Sequence, residues 1–123
     1  MLQTLNGCSA QPDALDDLAR MAAMLDLDAA QMAPWREFAE MIDEARAAIE
    51  AIDAVTDYKF GDRIPPIAEA LDMQARCFAV RLGATRELMN AAAKLQDALK
   101  PRQRACADRL LTVLCKGTLR AAR

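Results

Sequence analysis

Leu27-Asp28-Ala29-Ala30-Gln31-Met32-Ala33-Pro34-Trp35-Arg36-Glu37-Phe38 is the stretch from which the fold is read, because it states how a long helix begins. Asp28 is a good N-cap, and Gln31 stands three residues on, where its side chain can reach back to the backbone N–H of the cap. Leu27 just before the cap and Met32 four residues after it occupy the two positions of a hydrophobic staple. The same grammar returns seventy-two residues later in Leu99-Lys100-Pro101-Arg102-Gln103, with Pro101 suited to the first helical position. Two helices therefore open in the same way.

Outward from the first of these starts, Trp35, Phe38, Ile42, Ala45, Ile49 and Ile52 recur three and four apart and predict a helix over 28–56. Its other face, with Arg36, Glu40, Asp43, Glu50 and Asp53, is polar, so one side is buried. Upstream, Pro12 and the acidic Asp13, Asp16 and Asp17 suit a helix start, and Leu15, Leu18, Ala22 and Leu25 give a stripe over 12–25. Residues 1–11 read as a flexible tail. Gly61 and Pro65-Pro66 break the pattern and make a turn. A third helix is expected over 66–99, with a main stripe of Leu71, Ala75, Phe78, Leu82, Leu88, Ala92, Leu95 and Leu99. A second stripe, Met73, Cys77, Val80 and Ala84, lies beside it and widens the apolar arc, as a helix with more than one partner requires. A fourth helix over 101–120 carries Cys106, Leu110, Val113 and Leu114 inward and Arg102, Arg109, Lys116, Arg120 and Arg123 as a basic stripe. The reading is an all-α chain with one helical domain over 12–123, built on an elongated antiparallel hairpin of the two long helices.

Composition agrees with that class. Aromatic residues are 4% of the 123, Ala and Leu abound, and Gly and Pro number four and five. Net charge is −2, but residues 1–60 hold twelve Asp/Glu against four Lys/Arg, whereas residues 61–123 hold six against twelve. Halves of about −8 and +6 favour antiparallel docking, and Asp13, Asp16 and Asp17 are the natural counterparts of the basic stripe. That stripe has no interleaved aromatics and the chain is acidic overall, so no nucleic-acid partner is expected. No run of about twenty apolar residues is present, so no membrane span is expected. Met1–Cys8 lacks the charged start and apolar middle of a signal peptide, which leaves two readings open: a cytoplasmic chain, or one whose export segment is not in the given sequence.

The paired starts, Leu27-Asp28-Ala29-Ala30-Gln31 and Leu99-Lys100-Pro101-Arg102-Gln103, with Trp35 and Phe38 following the first, resemble the Leu-Thr-x-x-Gln pattern of the Spy/CpxP (LTXXQ-motif) family of bacterial periplasmic proteins. Asp28 and Lys100 stand where that family has Thr; Asp keeps the capping chemistry and Lys does not. The resemblance covers about 12–120 and implies a four-helix protomer, a cradle-shaped antiparallel homodimer and a periplasmic setting. It also implies a non-enzymatic role: ATP-independent holding of partly unfolded clients on a surface both apolar and basic. The residues to which this role points are Met73, Cys77 and Val80 with Arg76, Arg81 and Arg86; core or dimer contact is the alternative for the first three, and a solvated face for the arginines. The same family includes envelope-stress and metal-responsive regulatory proteins that bind a membrane signalling partner. A third reading is a structural amphipathic hairpin resembling phasins.

Chemistry is weighed against the residue inventory. With no His, neither a Ser-His-Asp nor a Cys-His site can be built, and no Gly-rich phosphate loop is present, so no enzyme and no cofactor are expected. Seven Met read as core fillers, and the four Cys have no C-x-x-C spacing, so no metal site is expected. Cys106 and Cys115, nine apart, lie on opposite faces of one helix. In an oxidising compartment, Cys8 and Cys115 are the expected disulfide if the first and last helices run together, with Cys77 and Cys106 left as buried thiols.

Overall fold

The computed structural model describes residues 16–120, with side chains from Leu18 onward. Four helices make up this region, α1 (Asp16–Leu25), α2 (Ala29–Phe60), α3 (Ile67–Ala98) and α4 (Pro101–Arg120), with no strand among the described residues. The all-helical expectation holds. Asp13 and the side chains of Asp16 and Asp17, expected to meet the basic stripe of α4, lie outside the described residues, as do Cys8 and Arg123.

Asp28 caps α2 as its chemistry dictates: its Oδ1 accepts the Gln31 N–H at 3.0 Å, and Gln31 Oε1 accepts the Asp28 N–H at 3.0 Å. Pro34 lies inside α2 without ending it. The helix runs one turn further than the apolar spacing predicts, to Phe60, and stops at Gly61, whose φ of +53° favours a residue without a Cβ. The Gly61 N–H closes onto Asp57 O at 2.8 Å, and the Arg63 guanidinium lies 5.4 Å from the centre of the Phe60 ring. Pro65 and Pro66 then carry the chain into α3.

The two 32-residue helices, each about 48 Å long at 1.5 Å per residue, pack along each other. Lys94 meets Glu37 at 2.8 Å, Arg81 faces Asp53 at 3.8 Å, and Cys77 Sγ lies 3.7 Å from Thr56 Oγ1. Falling numbers on α3 meet rising numbers on α2, so the pair is antiparallel. Trp35, Phe38, Ile42 and Ala45 of α2 and Ala84, Leu88, Ala91 and Leu95 of α3 form one core with Leu18, Met21 and Leu25 of α1 and Ala107, Leu110, Leu111 and Leu114 of α4. Trp35 and Phe38 pack ring to ring with centroids 6.1 Å apart. The core fills the end of the molecule where α2 and α4 begin. Past Arg81, toward the turn, Ile49 and Met73 are buried between the two long helices and stand outside that cluster.

The apolar stripes of α3 fall differently from the expectation. Leu71 and Leu88 were placed on one line, but seventeen positions at about 100° each leave them roughly a quarter turn apart. The helix therefore buries Met73 and Ala84 with Leu88 and Leu95, while Leu71, Ala75, Phe78 and Leu82 face solvent. On α4 the same correction exchanges Val113, exposed, for Leu111, buried.

Candidate functional site

The two glutamines of the paired helix starts meet. Gln31 Nε2 donates to Gln103 Oε1 at 2.8 Å, and Gln103 Nε2 donates to Gln31 Oε1 at 3.1 Å. Each carbonyl oxygen also accepts the N–H at the start of its own helix, from Asp28 at 3.0 Å and from Lys100 at 2.8 Å. Each amide nitrogen donates to the end of a helix it does not follow in the chain: Gln31 to Ala98 O at 2.9 Å, and Gln103 to Leu25 O at 2.9 Å. Helix ends leave carbonyls without intrahelical partners, and the exchange satisfies one at the end of α1 and one at the end of α3. Gln31 is 4% exposed and Gln103 half-buried, so the bonds between the two amides are shielded from water, where leaving them unmade is costly. Leu27 and Met32 pack against the core beside this junction, Leu99 is inside it, and Pro101 is the first residue of α4. The motif residues Leu27, Asp28, Gln31, Trp35, Phe38, Leu99, Pro101 and Gln103 are thus brought together at one end of the molecule in a structural junction.

The residues assigned to a client or dimer surface are not brought together. Met73 is buried, and Cys77 and Val80 are half-buried, with Cys77 turned toward Thr56 of α2. Cys77 therefore lies at the α2–α3 interface. Arg81 is also half-buried: its Nε donates to Leu119 O at 3.0 Å, near the end of α4, and its guanidinium faces Asp53. Asp53 Oδ2 is 3.8 Å from the guanidinium and has no hydrogen bond, so the pair is held by charge alone. Arg76, paired with Asp72 at 3.0 Å, and Arg86 are exposed.

What α3 presents to solvent is the stripe read as core: Leu71, Phe78 and Leu82, joined by Met89. At the turn, Tyr58 is 93% exposed, Ile64 91% and Ile67 76%. A close look at the turn signals, Gly61 and Pro65-Pro66 flanked by Tyr, Phe and Ile, would have found this end. The α3 stripe was visible as spacing, but which of two nearly opposite lines faces inward depends on where α2 sits.

The cysteine expectation is corrected. Cys115 is a free thiol, so the Cys8–Cys115 bridge is not formed, and Cys106 is instead disulfide-bonded. Burial pushes the Cys115 thiol up from 9.0 to about 11, which keeps it protonated and a poor nucleophile at neutral pH. Cys77 is also free. Among the described residues, no group of three His, Cys, Asp or Glu could hold a metal ion, and no helix is long and apolar enough to cross a membrane. An open groove of about 490 Å³ runs between α1 and α2, floored by Leu18, Ala22, Trp35 and Ala39 and rimmed by Arg36 and Glu40. Comparison with protein-family models, with curated proteins and with solved structures finds no match to this chain.

Proposed function

We propose that this chain is a non-enzymatic, ATP-independent holding protein of Spy/CpxP type, working in the periplasm, that binds partly unfolded clients on the outer face of α3 and the adjoining turn. The observation that carries this reading is the row of large apolar side chains left in solvent there: Ile64, Ile67, Leu71, Phe78, Leu82 and Met89, each at least half exposed. A row of that kind is unusual for a surface with no partner and is the chemistry an unfolded segment seeks. Arg63, Arg76 and Arg86 border it and add mobile charge that speeds capture without fixing a single pose. The paired Leu-x-x-x-Gln starts support the family part of the reading, and the dimeric cradle and hairpin form of that family come with it.

The test is suppression of the aggregation of reduced α-lactalbumin by stoichiometric amounts of the chain, without nucleotide, at low and high salt. Suppression is expected, weaker in high salt, and weaker still for a Tyr58→Ser, Ile64→Ser, Ile67→Ser variant with unchanged helix content. No suppression at several-fold excess sinks the holding role and leaves binding of a dedicated signalling partner as the reading to pursue.

A further inference from the structure

The basic residues of α4 fall on one line. At about 100° per residue, Arg102, Arg109, Lys116 and Arg120 lie within roughly 40° of arc, on the side turned away from the buried Ala107, Leu111, Leu114 and Thr118. All four are exposed, and the row runs about 27 Å along the helix at 1.5 Å per residue. No acidic side chain stands in it: Asp108, the one carboxylate of α4, sits about 100° round the helix and is bonded to Gln96.

Elsewhere the surface mixes its charges. Arg63 lies 3.7 Å from Glu69, Arg76 3.0 Å from Asp72 and Lys94 2.8 Å from Glu37. The four cations of the row have neither an ion pair nor a hydrogen bond among the described residues. The first three stand about 10 Å apart, close to the screening length at physiological salt, so they repel one another weakly and the fold tolerates the row. The row also ends a dipole. Within α4 five Lys/Arg stand against one Asp, whereas within α2 seven Asp/Glu stand against three Lys/Arg. A chain of net charge −2 thus presents one face of the opposite sign, and its own field turns that face toward a negative surface.

We infer that the outer face of α4 docks on an anionic lipid surface, lying along it without crossing it. A straight row of cations on an outward ridge meets a flat sheet of phosphate headgroups at every position at once, and each cation adds its own attraction. A nucleic-acid strand would want aromatic stacking partners that this face lacks, and an acidic helix would have to repeat its carboxylates in the same sevens. Val113 is the large apolar residue on the ridge, and no described helix is long and apolar enough to span a bilayer, so the attachment is electrostatic and yields to salt. None of Ile64, Ile67, Leu71, Phe78, Leu82 and Met89 belongs to this ridge, so attachment does not rest on the holding of clients.

Co-sedimentation with vesicles of phosphatidylglycerol and phosphatidylcholine in equal parts, set against pure phosphatidylcholine, tests the docking. Binding to the mixed vesicles alone is expected, and its loss in high salt. Arg102→Gln, Arg109→Gln, Lys116→Gln and Arg120→Gln should each weaken it about five-fold, the contribution of one cation near a charged bilayer. Arg109→Glu with Lys116→Glu should abolish it at unchanged helix content, whereas Arg36→Gln with Lys59→Gln, exposed cations of α2, should leave it unchanged. Equal binding to both vesicles, binding to neither, or equal losses from the α2 and α4 variants overturns the docking. Tighter capture of a DNA duplex or of polyglutamate than of the mixed vesicles overturns the lipid as partner. Vesicle binding gained only by Asp13→Asn, Asp16→Asn, Asp17→Asn overturns it too, and assigns the row to those carboxylates.

Discussion

Gln31 and Gln103 show how much one side-chain type can do at one position. A shorter Asn would not reach from the first turn of α2 to both its own cap and the end of α3, and a Glu would lose the donor that Ala98 O and Leu25 O require. Gln31→Ala removes a capping-box arm and leaves buried partners unpaired, so it should cost about 2–3 kcal/mol in urea unfolding, and Gln103→Ala a comparable amount. Because the two amides are each other's partners, the double variant should cost less than the sum of the singles. Strict additivity would show that the exchange contributes nothing beyond two separate caps. The junction was legible as two helix starts of one grammar, and the capping box at Asp28 followed from it. The 2.8 Å bond between residues seventy-two apart was not, because spacing along a chain does not say that two starts share one end of a bundle.

At the scale of the element, α2 was the easier helix to read. Trp35, Phe38, Ile42, Ala45 and Ile49 are all buried, and the polar residues that interrupt them leave only one face to bury. α3 was harder because it offers two apolar lines nearly half a turn apart, and its partner takes one of them. Phe38 and Phe78 make the contrast measurable. Phe38 has no exposure and lies against Trp35, so Phe38→Ala should destabilise the chain by about 3–5 kcal/mol. Phe78→Ala touches no core and should change the unfolding of the monomer by less than about 0.5 kcal/mol. Equal effects would place Phe78 in a core and remove the exposed stripe on which the proposed surface depends. The cysteines were misread at this scale too: Cys106 and Cys115, expected on opposite faces of α4, both pack half-buried against the one core, and the free thiol is Cys115 and the bonded one Cys106.

Across the whole molecule, stability is graded from one end to the other. α1 and α4 cover α2 and α3 only from the junction to about Arg81, where Leu119 O meets the guanidinium. Beyond that point, among the described residues, the two long helices have only each other, through Ile49, Met73, Cys77 and Thr56. Backbone amides of α2 between Phe38 and Ala45 should therefore exchange with solvent deuterium far more slowly than those between Thr56 and Phe60, by hydrogen exchange measured with mass spectrometry. Uniform protection along α2 would mean that the turn end is held by something besides its partner helix. The charge asymmetry of the two halves contributes little to this gradient, since Lys94–Glu37 and Arg76–Asp72 are exposed pairs worth about 0–1 kcal/mol each.

The amide exchange at Gln31 and Gln103 also makes the two long helices a cantilever. All four helices are rooted at one end, and the free length beyond the root carries the exposed Tyr58, Ile64 and Ile67 at its tip. A tilt of one degree at the root moves a tip about 48 Å away by roughly 0.8 Å, so small adjustments of packing around the glutamines are magnified into large excursions of the turn. By that lever the same tilt displaces the apolar tip far more than the core beside the glutamines.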